Sequence, residues 1–205
     1  KKVEDWLLDI GFPLGKQKDW NTFVSIKHFA NNPSDKNQVN REANELLNKM
    51  ESKIPKEFGS SVQYILWELS DNIDEHSKFT FASLMAQYFP RKEHLDIAVF
   101  DNGITIPLLF EKNKIPFGRD SEAILKAISG EVTTKRDEEM RGYGLKSCKD
   151  IAVKEIRGEL HVVSRKGAVL IRSNKEPQLY DFDDAPLKGT FLYFKLDTPK
   201  KKVNI

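Results

Sequence analysis

Residues 67–76 read Trp67-Glu68-Leu69-Ser70-Asp71-Asn72-Ile73-Asp74-Glu75-His76. Ile65, Leu69 and Ile73 recur every four residues and form one apolar row on a helix, with Glu68, Asn72 and His76 in a polar row beside it. The pattern predicts a helix from about Lys56 to Ser77 that buries one side and holds an acid, an amide and an imidazole at the edge of the core. Asn72 can offer a carbonyl oxygen, a suitable ligand for a hard cation such as Mg²⁺. Glu68, one turn earlier, can orient or deprotonate a water near that metal. Taken alone, the row reads first as a solvated helix face.

Outward from this helix the chain has an α+β order and no regular βαβ alternation. Upstream, Thr22–Ile26 alternates like a short strand, and 37–52 reads as an amphipathic helix with Val39, Ala43, Leu46, Leu47 and Met50 on one side. Downstream the period changes to two. Phe79–Phe89 and Leu95–Phe100 read as strands. Residues 101–119 read as Gly- and Pro-punctuated loop, Ser121–Ser129 as a short helix and Gly130–Gly144 as a charged loop. A helix is predicted over Leu145–Glu155, then strands at Glu159–Ser164, Ala168–Arg172 and Thr190–Leu196. One sheet with helices on one face is expected. The division is 1–55 as an N-terminal strand and helix, 56–198 as the main domain and 199–205 as a basic tail.

Two loops carry further chemistry. Asp101-Asn102-Gly103-Ile104 follows an apolar strand. An ionised Asp there accepts a hydrogen bond from an amino group, and a glycine lets backbone approach a flat base closely. The plain alternative is an Asx-type turn. Arg141-Gly142-Tyr143-Gly144-Leu145 opens a predicted helix, where free backbone N–H groups and the helix dipole favour phosphate. By itself it is also an ordinary flexible helix start.

In this order the three elements resemble the GHKL ATPases of the Bergerat fold, which include gyrase-type topoisomerases, MutL proteins, the ninety-kilodalton heat-shock chaperones and histidine kinases. Glu68-x-x-x-Asn72 looks like the family's N box, Asp101-x-Gly103 like its first glycine box and Gly142-x-Gly144-Leu145 like its second. Gly189-Thr190 matches a later Gly-Thr element. The resemblance implies a two-layer α/β sandwich with a mixed, mostly antiparallel sheet, and ATP with Mg²⁺ as cofactors. It implies that Asn72 holds the metal, Asp101 binds the adenine amino group, Gly103 lies against the base and Thr190 supports it. Gly142, Gly144 and Leu145 would frame the phosphates within a mobile lid over 118–144. Lys135 and Arg141 would neutralise phosphate charge. Glu68 would be the catalytic base, as in the hydrolytic branches and the anti-sigma-factor kinases. Thr105 stands where the first glycine box often has a glycine, and its β-branch would stiffen that wall.

Composition bounds the rest. The 205 residues are 39% hydrophobic and 31% charged, enough for a packed core and too apolar for a disordered chain. Thirty-three Lys+Arg against 31 Asp+Glu leave a formal charge of +2, which gives no indication of a nucleic-acid binder. No apolar run approaches the roughly 20 residues of a membrane span, and the single Cys148 points to a reducing cytoplasm and to a buried small hydrophobe. His94 and His161 read as structural. Nine residues follow Leu196, so the expectation is a module without an appended catalytic-lysine domain. Three activities fit: a nucleotide-dependent switch or weak ATPase read by a protein partner in signalling, a serine/threonine kinase resembling the anti-sigma-factor kinases, and a degenerate nucleotide-binding scaffold.

Overall fold

A computed structural model describes residues 23–32, 34–35, 37–51, 54–131, 144–184 and 186–198. Seven strands form one sheet: β1 Phe23–Ala30, β2 Phe81–Phe89, β3 His94–Asp101, β4 Glu159–Arg165, β5 Gly167–Arg172, β6 Gln178–Asp181 and β7 Leu187–Asp197. Their order across the sheet is β1-β2-β3-β7-β4-β5-β6. All six described pairings are antiparallel, so the sheet is purely antiparallel where a mixed one is implied by the resemblance.

Period-two alternation gives the sheet one continuous apolar face. Leu84, Val99, Leu192, Val162 and Val169 lie opposite one another on successive strands, all buried. The helices cover this face: α1 Gln38–Glu51, α2 Gly59–Asn72, α3 Ile106–Lys112, α4 Asp120–Ser129 and α5 Gly144–Lys149. Val39, Ala43, Leu46 and Met50 of α1 join Val62, Ile65, Leu66 and Leu69 of α2 in the main core. β1 extends the sheet by pairing with β2 in register from Phe23 to Ala30. Residues 23–51 are thus part of the same sheet and core as the rest. Among the described residues no helix is long and apolar enough to cross a membrane.

Three details differ from expectation. Residues 101–119 are not all loop, since α3 lies within them. Thr105, extended at φ −71°, caps α3 by accepting from the Leu108 N–H at 3.3 Å, with Pro107 in the first turn. β6 follows Pro177 as a short, partly exposed edge strand. The helices predicted over 56–77 and 145–155 both change pitch. The first opens as a 3₁₀ turn at Lys56–Phe58 and closes as a π turn at Ile73–Ser77, and the second closes as a π turn at Asp150–Glu155.

Candidate functional site

The site is built at the common ends of β3, β7 and β4. Asp101 pairs with Thr190 across β3 and β7, and Thr190 pairs with Ser164 across β7 and β4. One row inward the same strands present Val99, Leu192 and Val162. The apolar face therefore ends in a buried polar row, Asp101–Thr190–Ser164. Ser164 Oγ lies 3.0 Å from Thr190 Oγ1 and accepts from the Ile106 N–H at 2.9 Å.

Asp101 is 4% exposed, and burial pushes its carboxyl up to about 6. The Gly103 N–H, donating to Oδ1 at 2.8 Å, and the Ser77 hydroxyl pull the other way. That hydroxyl has one proton and two acceptors, since the Ile73 carbonyl stands 2.8 Å away. Asn102 fixes the turn by accepting from the Thr80 and Phe81 N–H groups at 2.9 and 2.8 Å.

The glycines here have a stricter reason than flexibility. A Cβ on Gly103 would lie 2.0 Å from the Ser77 carbonyl oxygen, so the missing side chain lets the Asp101 turn seat against the π turn that ends α2. Gly189 has φ +114°, and a Cβ there would fall 1.8 Å from the Asp101 carbonyl oxygen. Both glycines hold the buried carboxyl in place.

α2 is the spine between the two ends of the site. Its C-terminal π turn touches Gly103. Glu68, one turn before Asn72, packs against α5, and a Cβ on Gly144 would stand 2.1 Å from Glu68 Oε2. Tyr64 links the same helices, since its hydroxyl accepts from Ser147 and donates to Glu68. Asn72 is half-buried in the last turn of α2. The helix changes to a π turn after Asn72, at Ile73–Ser77. The His76 side chain lies outside the described residues, as do Lys135, Arg141 and Gly142. Leu145 packs against the main core from the first turn of α5.

Of the span 118–144 read as a lid, residues 118–131 are described, and they contain α4. Ser121 donates from its N–H and hydroxyl to Asp181 at 3.0 and 2.7 Å. Asp120, at the start of α4, receives the Arg165 guanidinium in two hydrogen bonds of 2.7 and 2.5 Å.

His94 and His161 lie on the other face of the sheet. His94 stacks on Phe89, and the buried His161 bonds Glu159 at 3.1 Å. Cys148 is buried and its thiol is pushed up by desolvation, as suits a small hydrophobe.

The profile of the family described as histidine kinase-, DNA gyrase B- and HSP90-like ATPases matches residues 59–200. The chain belongs to this ATPase family. The match begins at the first residue of α2 and runs through β7, so it takes in Glu68, Asn72, Asp101, Gly144, Ser164 and Thr190. No curated protein matches the chain. As a GHKL ATPase domain it is an adenine-nucleotide-binding module, and its α+β sandwich is the fold of that family. Sequence reasoning missed Ser77, Tyr64 and Ser164. Ser164 had one signal, a polar residue at a face position of the apolar strand Leu160-His161-Val162-Val163-Ser164.

Proposed function

We propose that the chain is a Mg-ATP-dependent switch with weak ATP hydrolysis, read by a protein partner in a regulatory setting in the cytoplasm. The observation that carries this reading is the buried Asp101 carboxyl, aimed from a strand end and flanked by Thr190 and two required glycines. When ionised it is acceptor-only and suits an exocyclic amino group. Gly103 would form the wall beside the base.

The donor set fits Mg²⁺ bound together with nucleotide. Among the described residues no group of three or more His, Cys, Asp or Glu could hold a metal. Asn72 would give one oxygen, leaving phosphate oxygens and water for the rest, the usual habit of this ion. The metal would supply charge neutralisation for the phosphates. Gly144 and Leu145 would frame them, with Gly142, Lys135 and Arg141 as further contacts. Glu68, set against Gly144 and held by the Tyr64 hydroxyl, would take the proton from the attacking hydroxyl group.

The Glu68 position supports a second reading, since a base there can serve a Ser or Thr hydroxyl of a partner as well as water. Phosphate release by the isolated chain favours hydrolysis, and label transfer to a protein favours the kinase. Binding with neither favours a scaffold. The test is calorimetry and phosphate release on two variants. Glu68→Gln keeps nucleotide affinity within a few-fold while turnover falls about 10²–10⁴-fold. Asn72→Ala weakens Mg-dependent binding itself. Parental turnover in Glu68→Gln would remove Glu68 from the chemistry.

A further inference from the structure

The outer face of the sheet, opposite the helices, is buried although no described helix or strand lies over it. Tyr193, His161 and Leu170 stand in one row across β7, β4 and β5, and Phe191, Val163 and Ala168 in the next. The apolar cluster on this face, Val163, Ala168 and Phe182, is built of strand and loop residues alone, while α1 and α2 join the core on the opposite face. In an uncovered sheet the neighbouring side chains stand beside a residue and not above it, so its tip meets water. Here His161 is 0% exposed, Leu170 2% and Tyr193 5%. His161, Phe191 and Tyr193 are also engaged in further polar or ring interactions. Such burial requires a cover.

We propose that this face is the seat of the chain's own residues 1–22, docked through Val3, Trp6, Leu7 and Ile10. These four fall at i, i+3, i+4 and i+7, the spacing of one apolar helix stripe, with Lys2, Asp5 and Asp9 on the other side. Gly11 and Pro13 follow, where such a helix would stop. Position and reach agree with this seat. Val24 pairs with Gln87, in the outer-face row that runs on through Asp96, Lys195 and Glu159 beside Tyr193 and His161. The segment thus joins the sheet one residue beyond that row. From β1 to β4 is four strand spacings, about 19 Å. Residues 11–22 reach up to about 40 Å when extended. The other long stretches suit the face less. Residues 132–143 run between α4 and α5, which pack on the helical face. Residues 199–205 offer only Val203 and Ile205, next to Lys200, Lys201 and Lys202. The docked segment adds a third layer over β7, β4 and β5, on the side of the sheet away from Asp101.

The test uses the full chain with Trp6 as its single tryptophan (Trp20→Phe, Trp67→Phe) and Cys148→Ala. A nitroxide, which quenches tryptophan at short range, is attached through Lys195→Cys on the outer face or through Lys49→Cys on the exposed side of α1. Trp6 loses most of its emission to the label at 195 and little to the label at 49, and urea abolishes the difference. Equal quenching by the two labels overturns the proposal. So does quenching of Trp6 in an unlabelled chain mixed with a chain labelled at 195 that has no tryptophan, the result for a second copy seated on the face. Two variants of the natural sequence give a reading free of any label. Trp6→Ser lowers the urea midpoint, and Leu8→Ser, off the apolar stripe, leaves it within error. A Trp6→Ser midpoint equal to the parent's overturns the proposal as well.

Discussion

Asp101 ties its own ionisation to both stability and binding. Its carboxyl is raised to about 6 mainly by burial, from an unfolded value near ~3.9. A raised acid stabilises the folded chain fully below about pH 4, and that contribution is lost as pH rises through about 6. The acceptor-only form that suits an amino group appears over the same rise. Denaturant unfolding without nucleotide and ADP affinity, measured from pH 4.5 to 7.5 (a range of about three units around this value), are expected to move oppositely. Stability falls while affinity climbs, and Asp101→Asn abolishes the affinity trend and removes the Asp101 share of the stability trend, leaving that of Asp74, whose carboxyl burial also raises to about 6. Parallel trends would contradict a carboxylate that binds the base. Asp101 was legible because Asp-x-Gly after an apolar strand is a chemical pattern. What Gly103 does was not. The sequence suggests approach to a ligand, and the structure adds a second reason for the glycine, the Ser77 carbonyl that a Cβ would meet, a contact set by tertiary packing.

At the scale of elements, the β4–β5 hairpin holds the start of α4. The register shifts between Ser164 and Arg165, and Arg165 takes φ +56°. This turns its guanidinium to Asp120 on α4 and, at 2.7 Å, to Glu111 on α3. The carboxylates hold the guanidinium above its ordinary range. Arg165→Ala is expected to destabilise by roughly 1.5–3 kcal/mol, the range for hydrogen bonds to charged groups, read as a shift in the urea midpoint. No shift would mean that α4 is held by packing alone.

The outer face of the sheet carries a second device. Asp96, Lys195, Glu159 and Arg172 stand opposite one another across β3, β7, β4 and β5. The His161 hydrogen bond, then Arg172, hold Glu159 down to about 2 despite partial burial. A lowered acid contributes stability above its unfolded value near ~4.3 and loses it as pH falls toward the folded one. Glu159→Gln should therefore flatten the stability loss between pH 4.5 and 2 (over about this interval), followed by circular dichroism in urea. An unchanged acid limb would remove Glu159 from acid stability.

Legibility of the elements followed local signals. α1, α2 and β2 to β5 carry clear periodicity. α3 was missed although Thr105-Ile106-Pro107 is a capping start, because Gly103 and Pro107 read as loop punctuation. β6 has four residues and little apolar alternation. The π turns leave no trace in period or composition.

Across the whole molecule, the return of β7 between β3 and β4 makes the site. Asp101 and Thr190 lie far apart in sequence and become neighbours only because the final strand enters the middle of the sheet. Strand order is non-local, so it could not be read from any window of the sequence. The central claim, that this strand junction recognises adenine, is tested most directly by thermal unfolding of the full chain with Mg-ADP and with Mg-GDP. With ADP at 100 times its dissociation constant the chain is stabilised by about 2.7 kcal/mol. GDP at the same concentration gives little shift, and Asp101→Asn loses the ADP shift. Equal stabilisation by the two nucleotides, or an ADP shift that survives Asp101→Asn, would contradict the account.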